Sequence, residues 1–379
     1  MEFTDRKRIL ISVDWFPPAF RAGGPIRSAG NLAEFLTDSH DVWVVTGNRD
    51  LGSEAPVISE PNTWVKRDTA HGSFQVWYGE TLDRATWIQI LDQVQPDSVH
   101  LNSLFSKAFT LLPLRILRQS TRSKVVLAPR GMLGSAALRI KPLKKSLFLI
   151  AARTFGWMDR VLWHASTQEE KAEIKNVFPT AAVVVAQNLP SALPPSNPPR
   201  PEGVWRIIVV GRIHRVKNLA FGLKALLDAP TARSIEVDFI GPVEDETYQG
   251  ELEAIAAASG GTRVRFLGGL PPTELRPHFQ AAHYLLSSTT QENFGHSIVE
   301  AWAHGCPVLI SDRTPWRGLA AKGIGWDWPL EENAWIEGLA QALALTPDQW
   351  AAMSEAARAF FSEHVRSAEA ERANLALFE

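Results

Sequence analysis

The residues best equipped for chemistry fall in short runs that each follow an apolar stretch. One such stretch, Ile207–Val210, leads into Gly211-Arg212-Ile213-His214-Arg215-Val216-Lys217-Asn218. Arg212 offers a planar fork for phosphate oxygens, and Lys217 offers a mobile point charge. Alone, the run reads equally as a solvated basic turn. A second run, Glu292-Asn293-Phe294-Gly295-His296-Ser297-Ile298-Val299-Glu300, follows Tyr284–Ser287. Gly295 permits close backbone approach. Amide groups near 296–298, at the start of a helix, form a ready anion site. Glu292 stands just before that turn and Glu300 about one helical turn inside it. With a phosphate on the amides, both carboxylates are left for hydroxyl groups, in which sugars are rich. Taken singly, Glu292 reads equally as a loop cap and Glu300 equally as a helix-face residue. A third run, Trp15-Phe16-Pro17-Pro18-Ala19-Phe20-Arg21-Ala22-Gly23-Gly24-Pro25, follows the first apolar stretch and gives a tight backbone path at Gly23 and Gly24. It is not G-x-G-x-x-G, which argues against a nicotinamide dinucleotide enzyme.

These runs need elements to hold them. Ile9–Val13, Asp41–Thr46, Ser98–Leu101, Val125–Ala128, Val161–Ala165 and Ala182–Ala186 read as strands in the first half. Arg206–Val210, Glu236–Ile240, Arg263–Leu267, Tyr284–Ser287 and Val308–Ser311 read as strands in the second. Helical patterns lie between them, for example Ser28–Leu36 with Ser28 as N-cap. Alternating strands and helices imply an α/β protein with parallel sheets covered on both faces, where ligands bind at the carboxyl ends of strands. At 379 residues the chain exceeds what one core serves, so two domains are expected. Six prolines between 190 and 201 mark the boundary. The expected division is 1–189, a linker at 190–203, a second domain at 204–360, and a terminal helix at 361–379 that crosses back to cover apolar surface of the first domain.

The single cysteine, Cys306, sits in an apolar run and reads as a core thiol, so an oxidising compartment is not indicated. No apolar stretch is long enough to span a bilayer, and the chain reads as cytoplasmic. The net charge of −2 hides an asymmetry: the first 200 residues carry 24 Lys+Arg against 18 Asp+Glu. Between Asp97 and Asp159 there is no acidic residue among eleven basic ones, which favours an anionic partner over a merely solvated face. Residues 139–158 mix Lys141, Lys144 and Lys145 with Leu147-Phe148-Leu149-Ile150, Phe155 and Trp157. That mix suits the inner face of a cell membrane, with an ordinary solvated helix as the alternative.

Gly-Arg followed by Lys-Asn, then Glu-x7-Glu enclosing Phe-Gly, resembles the signature of glycosyltransferase family 4, retaining enzymes of the GT-B fold. The likeness extends to Phe16-Pro17-Pro18 with Gly23-Gly24, and to Gly305 with Pro307-Val308. Ala128-Pro129-Arg130-Gly131-Met132-Leu133, Thr314-Pro315-Trp316-Arg317 and Gly323-Ile324-Gly325-Trp326 are similar to a bacterial branch associated with cell-surface polysaccharide synthesis. The resemblance implies two Rossmann-like domains facing across a cleft. It implies a donor site in which Arg212 and Lys217 hold a diphosphate and Glu292 binds sugar hydroxyls near the reacting carbon. Backbone at Phe294, Gly295, His296, Ser297 and Ile298 would complete the site, with Glu300 on the ribose. Gly24 and Gly211 would lie near the diphosphate, and Gly241 and the stretch Leu267–Leu270 about the base. Gly23, His100 and Arg130 fall on the acceptor or sugar side. Many relatives carry histidine where this chain has Arg130, which is too basic to act as a general base. His100 is the candidate to compensate, with core packing as the alternative.

The reaction so implied moves a sugar from a nucleoside diphosphate to an acceptor hydroxyl, on a lipid-linked or polysaccharide-precursor glycan, with the anomeric configuration kept. Arg212, Lys217 and the helix start would stabilise the departing diphosphate. No metal or other cofactor is expected, since there is no Asp-x-Asp and no clustered His/Cys set. Two rivals remain: a glycoside hydrolase using Glu292 and Glu300, which leaves the two cations unexplained, and a non-catalytic binder of nucleotide sugars or nucleic acid. Nucleic acid is not expected as a partner.

Overall fold

The computed structural model describes residues 6–70, 72–119, 122–191, 200, 203–260 and 262–379. These divide into two compact units, one formed by Met1–Leu189 with Ala368–Glu379 and the other by Pro190–Ser367. Of the six prolines, Pro190 is described; Pro194, Pro195, Pro198, Pro199 and Pro201 lie outside the described residues.

The first unit holds eight strands: β1 (Arg8–Ser12), β2 (Asp41–Gly47), β3 (Trp64–Asp68), β4 (Ser73–Gly79), β5 (Ser98–Asn102), β6 (Lys124–Ala128), β7 (Val161–Ala165) and β8 (Ala182–Val185). They lie in the order β3-β4-β2-β1-β5-β6-β7-β8, parallel throughout except that β3 runs antiparallel to β4. Within β1, Leu10 packs into one core while Ile9 and Ile11 pack into another. Strands whose alternate residues are all apolar belong in a sheet covered on both faces.

The second unit holds β9 (Val204–Val210), β10 (Ser234–Ile240), β11 (Arg263–Phe266), β12 (Tyr284–Ser287), β13 (Val308–Ser311) and β14 (Gly325–Trp328). Their order is β11-β10-β9-β12-β13-β14, all parallel. Trp205, Ile207 and Val209 of β9 face one core and Ile208 the other. Cys306, Trp163 and Trp302 are fully buried.

In each sheet the first strand stands where the chain order reverses, β1 between β2 and β5, and β9 between β10 and β12. Open parallel sheets bind ligands beyond the carboxyl ends of strands at that point. The loops after β9 and β12 are the two that carry Arg212, Lys217 and Glu292.

Three details differ from the sequence expectations. The first helix runs Gly24–Leu36 with Gly23 as its cap; Ser28 lies inside it, its hydroxyl turned back to the Gly24 carbonyl at 3.1 Å. Pro25 starts a helix readily because its missing N–H needs no partner there. Strands β3, β4 and β14 were not expected. The terminal residues rejoining the first unit begin at Ala368. They place Leu377 and Phe378 in the core beside Ile9 and Leu36.

Candidate functional site

Beyond β9 the chain turns at Gly211, whose amide donates to the Ile240 carbonyl at 3.0 Å. The end of β10 turns in step, the Gly241 amide donating to the Gly268 carbonyl at 2.8 Å. A Cβ on Gly241 would stand 1.9 Å from the Gly211 carbonyl oxygen, so glycine is required for the two turns to nest. Ile213 is buried and donates to the Pro242 carbonyl at 2.9 Å, which fixes the path of the basic run. His214 caps a short turn, Arg215–Lys217, and Asn218 takes a left-handed conformation to start the helix Leu219–Asp228.

The loop after β12 is stitched to that turn. The Thr290 amide donates to the Val216 carbonyl at 3.0 Å, and the Ser288 hydroxyl to the Asn218 carbonyl at 2.8 Å. Ser311, at the end of β13, donates to the Thr289 carbonyl at 2.6 Å, and the Glu292 amide to the Arg313 carbonyl at 3.0 Å. Three strand ends thereby fix one pair: Lys217 Nζ donates to Glu292 Oε2 at 2.7 Å. Burial pushes the Glu292 carboxyl up, but Lys217, the Asn293 amide and Arg212 together outweigh it and hold the group below the usual carboxylate range. Glu292 is thus an anion at neutral pH, suited to accept hydrogen bonds and unsuited to act as a proton-donating acid.

Arg212 is near enough to act on Glu292 through charge, yet its own partner is Glu244, reached at 2.7 and 2.8 Å. Glu244 was missed from the sequence. Its signal is faint: an acid three residues beyond the glycine that follows β10.

Gly295 has a φ of +82°, a left-handed backbone that glycine adopts without strain, and caps the helix His296–Ala303 with no side-chain bond. Phe294 is buried, with the His296 ring 4.8 Å away and Trp316 at 5.8 Å. The Trp316 indole donates to the Phe294 carbonyl at 2.6 Å and so pins the turn from outside. Ser297 and Ile298 are the second and third residues of that helix, whose first-turn amides have no intrahelical acceptor. Glu300, half-buried, is the fifth. Leu270 is partly buried against the core that also holds Phe294 and Ile298. The expected second-unit residues therefore gather about the carboxyl ends of β9, β10 and β12.

In the first unit Gly23 has a φ of +69° and open space where a side chain would be, and Gly24 opens the first helix. The Asp50 carboxylate accepts the amides of Phe20 and Arg21, holding the loop before this glycine pair. His100 and Arg130 belong to one internal network. His164 Nε2 lies 2.8 Å from the Ala186 carbonyl, which only accepts, so the proton is on that nitrogen. His164 Nδ1 then accepts from His100 Nε2 at 3.1 Å, and His100 Nδ1 accepts from the Asn102 amide at 3.2 Å. The Asn102 oxygen takes Arg130 Nε and a terminal nitrogen at 3.1 and 3.0 Å, and Arg130 also donates to Asn188. Both nitrogens of His100 are committed and the ring is fully enclosed. Core packing is what holds it, and a compensating role on the sugar side does not follow. Burial first, then the charge of Arg130, lowers His164 to about 3. Burial lowers Arg130 itself to about 10.

Comparison with solved structures gives the fold. Sucrose-phosphate synthase from Thermosynechococcus elongatus superposes with a TM-score of 0.73 at 16% identity, covering 98% of this chain and 97% of that one. Anabaena HepE in complex with UDP and glucose gives 0.65 at 15%, covering 97% and 98%. WaaG, a glycosyltransferase involved in lipopolysaccharide biosynthesis, gives 0.61 at 17%, covering 98% and 99%. The fold is therefore GT-B. No curated protein matches by sequence. Residues 195–360 match the family model described as glycosyl transferases group 1, and the chain is a glycosyltransferase carrying that domain.

Proposed function

We propose that this chain is a retaining glycosyltransferase of family 4 that moves a sugar from a nucleoside-diphosphate sugar to an acceptor hydroxyl. The acceptor proposed is a lipid-linked or polysaccharide-precursor glycan, consistent with the bacterial motifs in the sequence. The observation that carries the reading is the Lys217–Glu292 pair at 2.7 Å, held at the sheet's switch point within the electrostatic reach of Arg212. A cation for phosphate oxygens and an anion for sugar hydroxyls stand side by side, which is what a sugar joined to a diphosphate demands. Arg212 and Lys217 take up charge as the diphosphate leaves, with the amides after Gly295 as further donors. Glu292 stays ionised and receives hydroxyl protons in hydrogen bonds. Glu300 takes the ribose, and Gly241 and Leu270 flank the base. Two fixed cations supply the charge stabilisation for which other transferases recruit a metal, so the reaction is proposed to be metal-independent.

The test begins with thermal shifts against UDP, GDP, ADP and their sugars. A ligand at a hundred times its Kd adds about 2.7 kcal/mol, or roughly 5–10 °C for a unit of this size. The donor so identified is then used in turnover assays with chelator present. Glu292→Ala, and Arg212→Ala with Lys217→Ala, should each lower kcat/KM at least about a hundredfold. Unchanged turnover in either variant overturns the site; turnover abolished by chelator overturns the metal-independent part alone.

A further inference from the structure

The described residues expose six large hydrophobic side chains, and five of them fall within sixteen consecutive positions: Ile140 (61% exposed), Leu143 (79%), Leu147 (68%), Ile150 (61%) and Phe155 (66%). Leu143, Leu147 and Ile150 belong to the helix Pro142–Thr154 and are spaced four and three apart, which sets them on one face. The opposite face is already satisfied. Leu149 and Ala152 are buried, and Phe148 packs on Phe105 and Trp157. The helix thus has one apolar face in the core of the first unit and a second that nothing in the described structure covers.

Charge accompanies that second face. Arg139, Lys141, Lys144 and Arg153 are exposed along the same stretch, and no acidic residue lies in the chain from 98 to 158. Lys145 differs, its ammonium held by the Ala137 carbonyl at 2.6 Å and placed 5.0 Å from the centre of the Phe105 ring.

We propose that this ridge, Ile140 to Phe155 with its flanking cations, docks the first unit on an anionic lipid bilayer. An apolar stripe bordered by long basic side chains matches the boundary between acyl chains and acidic headgroups. A second copy of the chain fits less well. A two-fold contact through this face would bring the cations of one copy against those of the other, since residues 98–158 contain no acid. The proposal stands on this surface alone and does not depend on the donor site. It places a transferase, if that reading holds, against the surface where a lipid-linked acceptor is found.

The experiment is flotation of the full chain with vesicles. The native chain should float with phosphatidylcholine vesicles containing phosphatidylglycerol at about 50 mM salt, and less at about 500 mM, where screening is nearly complete. It should float poorly with phosphatidylcholine alone. L143S/L147S/I150S should weaken binding about a hundredfold or more at either salt. K141Q/K144Q should weaken it roughly twenty-fivefold, about fivefold per cation, and reduce the salt dependence. All five side chains are exposed, and an unchanged melting curve confirms the fold. Absence of flotation at low salt overturns the proposal, as does equal flotation of the triple variant. A native dimer that the triple variant turns into a monomer, with no vesicle binding by either, assigns the ridge to self-association and likewise overturns it. Turnover with a water-soluble acceptor separates this outcome from the donor-site reading, since the ridge variants should retain it.

Discussion

Lys217 and Glu292 illustrate how a residue's environment decides what it can do. Burial alone would drive Glu292 toward its neutral form; the ammonium 2.7 Å away reverses that. Removing Lys217 therefore leaves a carboxylate without its main counter-charge, and Lys217→Met should cost about 1–3 kcal/mol near neutral pH. Glu292→Gln added to it should recover part of that loss, which a double-mutant cycle in urea will show. Because the folded carboxyl is depressed, its contribution is present above the unfolded value near 4.5 and is lost as pH falls through the folded one. His164 carries the opposite sign of charge, and its folded value is also depressed, to about 3. The folded ring stays neutral while the unfolded one takes a proton below about 6.5. Stability should then fall with acid between about pH 6 and pH 4, at roughly 1.4 kcal/mol per pH unit for this histidine. His164→Asn should remove about that much slope. An unchanged slope would mean that the imidazole pair is protonated in the fold.

Elements impose limits that single residues do not show. The turns after β9 and β10 nest only because position 241 has no side chain. An added methyl would meet carbonyl atoms of Gly211, which are backbone and cannot swing away. Gly241→Ala should cost about 1–3 kcal/mol and abolish the nucleotide-induced thermal shift, because the Arg212 loop must move. Gly250→Ala, on an open face of the helix Glu246–Ala257, is the control and should be neutral or slightly stabilising, by up to ~1 kcal/mol. The strands that carry these turns were legible because β9 ends in the apolar run Ile207–Val210, while β10 alternates Ile235, Val237 and Phe239 with Glu236 and Asp238. Those missed have physical reasons. β3 is Trp-Val-Lys-Arg-Asp at the sheet edge, where polar residues cost nothing, and β14 places Asp327 between two tryptophans. That aspartate accepts the Gly318 and Leu319 amides at 3.0 and 2.8 Å, so its charge is satisfied locally. At the site, Arg212, Lys217 and Glu292 stood out as residue types following strands, and the family resemblance joined them into one candidate site. Glu244 and the hydroxyls of Ser288 and Ser311 did not, because their partners are distant in sequence and share no period.

At the scale of the whole chain, the second half returns its last residues to the first unit. Phe378 lies fully buried, its ring 5.9 Å from that of His100, and Leu377 joins it in the core behind β1. Asn374 secures the approach by donating to the Gln187 carbonyl at 2.9 Å, beside the start of the connection between units. The first unit is therefore incomplete until the last dozen residues are made. It cannot reach its final packing while only its own leading segment exists, whereas residues 190–367 hold all the strands of the second sheet. Phe378→Ala should cost about 3–5 kcal/mol, the usual toll for emptying a fully buried aromatic site. The loss should fall on one unit. Hydrogen exchange in the variant should accelerate at β1, β2 and β5 and stay unchanged at β9, β10 and β12. Equal acceleration in both sheets would show that the units unfold as one cooperative body, and would withdraw the division of the chain into independently stable parts.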